Sequence, residues 1–201
     1  MLSADHVRRL LSALDGHRLR ALVAVAALLG LRRGELIGLK WADVDLDART
    51  LAVRRTGARI AGEYTEGSPK SARSRRTITI PSILVDELRQ HRARIHAERL
   101  RLGPQWSDEN RVFPNECGGP LGATTIRRTL DSATERAGLP HLRVHDLRHT
   151  AATMLIAAGG SLSAAQELLG HATQSLTADL YAHVLDEQRR ETADRIDRTM
   201  R

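Results

Sequence analysis

Between residues 17 and 29 the apolar side chains run around a helical axis: Leu19, Leu22, Val23, Val25, Ala26, Leu28 and Leu29 leave no broad polar face. A helix of that kind has to be covered on most sides, so the rest of the chain is expected to wrap it as a central core helix. The longest apolar stretch, Leu19 to Leu31, is broken by Arg20 and Gly30 and is too short to cross a bilayer, and the first residues lack a signal-peptide layout. The chain has 201 residues, 41% of them apolar, enough for one domain with a sizeable core or at most two small ones.

The segments around this helix are short and change period once. Ser3 caps an amphipathic helix whose Val7, Leu10, Leu11 and Leu14 share a face, ending at Asp15-Gly16. Gly30 suits a helix C-cap, and Gly34-Glu35-Leu36-Ile37-Gly38-Leu39 starts a short new helix, which leaves Arg32 and Arg33 at the junction. The pattern then alternates over residues 50–55, 58–60 and 76–80, predicting a small antiparallel sheet of about three strands in the N-terminal third. Residues 66–74 read as a polar loop carrying Lys70, and residues 83–102 as a helix, mostly on the surface, with Arg and His along its polar side. A long loop over residues 103–122 follows, then helical patterns over residues 124–137, 146–158, 163–169 and 173–183 and a tail helix over 186–200. The fold class expected is α+β, mainly α-helical, with one small sheet.

Charge narrows the partners. Lys and Arg number 31 against 24 acidic residues, a formal net charge of +7, which favours a polyanion and places nucleic acid first. Only Lys40 and Lys70 are lysines, and only Tyr64 and Tyr181 are tyrosines, so chemistry that needs either side chain has two candidates. The single cysteine, Cys117, excludes an internal disulfide framework and any thiolate metal cluster, and suits a reducing cytoplasm.

Five local patterns carry more than composition does. Gly30-Leu31-Arg32-Arg33-Gly34-Glu35-Leu36 lies at the helix junction; Lys70 precedes Ser74-Arg75-Arg76-Thr77; His145-Asp146-Leu147-Arg148-His149-Thr150 opens a helix; Leu168-Leu169-Gly170-His171 closes another; and Tyr181 begins Tyr181-Ala182-His183-Val184. Singly, each has a plain structural reading: a surface arginine, a solvated loop lysine, a cap and surface pair, a helix-end histidine, a core tyrosine. Together and in this order they resemble the catalytic domain of the tyrosine recombinase, or phage integrase, family. The resemblance implies an integrase-type catalytic domain in which Arg32, Lys70, His145, Arg148, His171 and Tyr181 are catalytic and Glu35 supports Arg32.

The chemistry that the resemblance implies is physically coherent. Guanidinium forks match the non-bridging oxygens of a phosphodiester, so Arg32 and Arg148 form the expected clamp, with His171 as a further donor. Tyrosine has a pKa of about 10, so Tyr181 needs proton acceptance by a base, for which His145 is the candidate. The leaving 5′-oxygen needs a proton, and Lys70 on a polar loop is better placed than Lys40 on a helix. The product would be a covalent 3′-phosphotyrosine, and because bond energy is stored there, neither metal nor ATP is expected.

The resemblance also implies double-stranded DNA as partner, a monomer without DNA and a tetramer on paired DNA sites in the full-length context. Only about thirty residues precede the first arginine pattern, so the chain is expected to be a single catalytic domain over residues 1–201 without core-binding or arm-binding domains. The tail helix over residues 186–201 has an apolar face that suits packing on its own domain or docking in trans. Two other functions fit the same residues: a non-catalytic DNA-binding remnant and a type IB topoisomerase-like activity.

Overall fold

The computed structural model describes residues 2–60, 63–68, 74–170 and 198. Seven helices are assigned in the described residues: α1 (Ala4–Ser12), α2 (Arg20–Leu29), α3 (Arg33–Gly38), α4 (Ser82–Leu102), α5 (Ala123–Arg136), α6 (Val144–Ala157) and α7 (Leu162–Leu169). The five strands are β1 (Val44–Asp45), β2 (Thr50–Val53), β3 (Thr56–Ile60), β4 (Glu63–Gly67) and β5 (Arg76–Thr79). None of the described helices is long and apolar enough to cross a membrane.

The predominantly apolar helix is central. Eight of the ten residues of α2 are buried, from Ala21 to Leu29, and the helix is flanked by α1, α4 and α6. Burying a leucine or valine contributes about 1.5–3 kcal/mol relative to leaving it in water, so a helix enclosed on this scale organises its neighbours. On α1 the reciprocal capping of Ser3 and His6 fixes the start, and Val7 and Leu10 turn inward. Helix α4 lies mostly on the surface, as expected, and Leu84, Val85, Leu88, His91 and Ile95 form its buried face. His91 departs from its expected polar position because its Nε2–H donates to the Val112 carbonyl at 2.7 Å, which lets the ring pack against Phe113.

The three-stranded sheet is present with different membership. Its order is β1-β2-β5, all antiparallel, with Leu51 opposite Ile78. The segment over residues 58–60, expected in this sheet, instead pairs in a separate hairpin, β3 with β4, and β4 falls partly in the expected loop. Strand β4 is exposed along almost its whole length, so it has no apolar alternation to announce it. Backbone proximity places this hairpin: a Cβ on Gly38 would stand 2.9 Å from the Gly57 nitrogen, so α3 seats directly on the β3 backbone.

Candidate active site

Helix α2 stops at Gly30, which adopts the left-handed conformation at φ +64°. The chain extends through buried Leu31 to Arg32, the residue preceding α3. Glu35, three positions on, reaches back: its Oε2 accepts the Arg32 backbone N–H and its Oε1 accepts Arg32 Nη1, each at 2.8 Å. Arg76, at the start of β5, donates to the same two oxygens, Nη1 to Oε1 and Nη2 to Oε2, each at 3.1 Å. Glu35 is 2% exposed. Burial pushes its carboxyl up, but the hydrogen bonds and charge of Arg76, joined by those from Arg32, hold it below the usual glutamate range.

The same arginines converge on the C-terminus of α7. Arg76 Nε donates to the Leu168 carbonyl at 2.7 Å, Arg148 Nη2 donates to the Leu169 carbonyl, and Arg32 Nη2 donates to the Gly170 carbonyl at 3.2 Å. Three successive carbonyls at one helix end therefore each meet a different guanidinium. The last carbonyls of a helix have no partner within it and carry its negative pole, so cations are favourable there. Arg148 also donates from Nη1 to the Gly30 carbonyl at 2.5 Å, which ties the end of α2 to the end of α7.

Helix α6 supplies Arg148 from inside and His145 from outside. Asp146 caps its first turn by accepting the Arg143 backbone N–H at 2.8 Å, and the Arg143 side chain closes on the same carboxylate. One turn before Arg148, His145 is exposed, with the His149 ring edge-on to it at a centroid separation of 4.6 Å. Burial, followed by the nearby His145, holds His149 below the usual histidine range. Arg148 is 1% exposed, whereas the Arg32 side chain is 39% exposed.

The structure thus brings Arg32, Glu35 and Arg148 to one place and sets His145 on the helix that carries Arg148. Lys70, His171 and Tyr181, and the tail helix, lie outside the described residues; His171 directly follows Gly170 in the chain. Arg76 was missed as a site residue, although the alternation of β5 contains the signal. It shares strand parity with Ile78 and Ile80, both buried, so it occupies an inward position where a charge needs a partner.

With this geometry in view, the fold is that of tyrosine recombinase catalytic domains. It matches the crystal structure of XerA recombinase with a TM-score of 0.73 and 28% identity, over 95% of this chain and 62% of that one. The Tn1549 transposon integrase, in complex with transposon right end DNA, has a TM-score of 0.78 at 23% identity, over 98% of this chain and 65% of that one. Residues 1–188 match the sequence pattern of the phage integrase family, and the chain belongs to that family. It is 37% identical over 199 residues to a tyrosine recombinase XerC-like protein of Caldanaerobacter subterraneus subsp. tengcongensis, covering 93% of this chain and 51% of the relative. The chain spans about half the length of the curated relatives it matches.

Proposed function

We propose that the chain is the catalytic domain of a site-specific DNA recombinase that breaks and rejoins double-stranded DNA through a covalent 3′-phosphotyrosine. The observation that carries this reading is the convergence of Arg32, Arg76 and Arg148 on one helix end, with the Arg32 side chain partly open to solvent. Arg32 presents a guanidinium to the non-bridging oxygens of the scissile phosphate, while Arg148, from the same cluster, strengthens the field there. Tyr181 attacks the phosphorus as its proton passes to His145; the bond to the 5′-oxygen breaks, and that oxygen takes a proton from Lys70. His171 donates to a non-bridging oxygen. Attack by the 5′-hydroxyl of the partner strand then reverses these steps, so the bond energy is conserved and neither a metal nor ATP enters the scheme. The chain acts in the cytoplasm, as a monomer until it meets DNA and as part of a tetramer on paired sites in the full-length context.

A duplex nicked just beyond the scissile phosphate traps the intermediate, because the short 5′ product diffuses away. The wild-type chain is expected to give a DNA–protein adduct on a denaturing gel, and Tyr181→Phe to give none. Duplex binding without any adduct would instead favour a non-catalytic DNA-binding remnant. Lys70→Ala is expected to slow adduct formation on an ordinary phosphate and to recover on a 5′-bridging phosphorothiolate, whose thiolate leaves without a proton. A Lys70→Ala defect of equal size on both substrates would remove Lys70 from the general-acid role.

A further inference from the structure

We propose that Arg76 is a positioning residue for strand cleavage, fixing Glu35 and the C-terminus of α7 so that the Arg32 guanidinium meets the scissile phosphate in one orientation. This inference rests on the cleavage reading above. All three guanidinium nitrogens of Arg76 are engaged inside the protein: Nε with the Leu168 carbonyl, Nη1 with Glu35 and the Ser74 carbonyl, and Nη2 with Glu35. Its side chain is 7% exposed, so it acts through its neighbours and not on DNA.

Two routes lead from Arg76 to Arg32. The first is the Glu35 carboxylate, which takes Arg76 on one side and both the backbone and the guanidinium of Arg32 on the other. The second is the end of α7, where Arg76 holds Leu168 and Arg32 holds Gly170. Because the Arg32 side chain is partly exposed, packing alone does not set its direction; these two anchors do. A planar fork suits both carboxylate oxygens at once, which the point charge of a lysine does not reproduce. Transition-state stabilisation depends on donors already aimed at the developing charge, so a loosened Arg32 loses rate even where DNA still binds.

A third contact suggests a competing route. Ser74 follows Lys70 by four positions in the chain, so its carbonyl gives Arg76 an alternative line of action, on the leaving-group side. The sulfur substrate separates the two, because charge on the non-bridging oxygens must be stabilised whichever atom leaves. The test compares the full chain with Arg76→Ala and Arg76→Lys on nicked duplexes carrying the ordinary phosphate or the 5′-bridging phosphorothiolate, with urea unfolding to establish that each variant is folded. Arg76→Ala is expected to form adduct about 10- to 100-fold more slowly on both substrates, with Arg76→Lys recovering part of the loss. Recovery of Arg76→Ala to the wild-type rate on the sulfur substrate, or a wild-type rate on the ordinary phosphate, overturns the proposal. Should Arg76→Ala fail to fold, Arg76→Lys carries the test: slower adduct formation on both substrates supports the proposal, and a wild-type rate overturns it. No adduct from the wild-type chain overturns the cleavage reading together with the proposal, whereas wild-type adduct with unaffected Arg76 variants overturns the proposal alone.

Discussion

His91 is a titratable residue in a place that refuses charge. Burial, its largest influence, lowers its pKa to about 4, and the bond to the Val112 carbonyl only partly opposes this. A histidine whose folded pKa lies below its unfolded value of about 6.5 stabilises the fold above that pH, and the contribution is lost as pH falls toward the folded value. The gap between the two values corresponds to roughly 3 kcal/mol at most. The urea midpoint of the wild-type chain is therefore expected to fall between pH 6.5 and 4.5, and His91→Gln to reduce that fall; equal pH dependence in both would show that His91 titrates normally. Residue-scale legibility was uneven for a physical reason. The spacing of Arg32 and Glu35 is local and readable, whereas the burial of His91 depends on a loop more than twenty positions away. Arg76 lies between these cases: strand parity points it inward, but Glu35 and Leu168 are separated from it by 41 and 92 positions.

At the scale of elements, the helices were legible wherever they bury a continuous face, as α2 and α5 do, because periodicity records burial. The hairpin of β3 and β4 was not, since its position follows from the close approach of α3 through Gly38 and not from an apolar stripe. The junction of α2, α6 and α7 depends equally on a missing side chain. A Cβ at Gly30 would stand 2.8 Å from Leu169 Cδ2 and 3.3 Å from the Ala151 Cβ, at a positive φ that alanine adopts reluctantly. Gly30→Ala is therefore expected to destabilise the chain by about 1–3 kcal/mol in urea unfolding. It should also separate the two carbonyls that Arg148 joins. A change within about 0.5 kcal/mol would mean that the junction yields without strain.

Across the whole molecule, formal charge overstates what is available to a polyanion. Arg18 is engaged with Glu98 and the carbonyls of Pro114 and Asn115, and Arg111 with Glu109 and Tyr64, so these cations serve the fold. Duplex binding is expected to weaken with salt, and Arg32→Gln to make the log–log slope shallower by about 0.9 for the one phosphate it meets. Arg18→Gln should leave the slope unchanged; an equal change in both variants would place Arg18 on the DNA as well. The fastening of α7 has a consequence of another kind. The three arginines at the end of α7, with Glu35 held between Arg32 and Arg76, leave a surplus of two positive charges on these four side chains. An intact phosphodiester brings one negative charge, whereas the five-coordinate phosphorus formed when a phenolate adds to it brings two. In the cleavage proposed above, the same cluster that pins a helix end would serve as a charge template, nearer to balance at the crest of the reaction than with the resting strand.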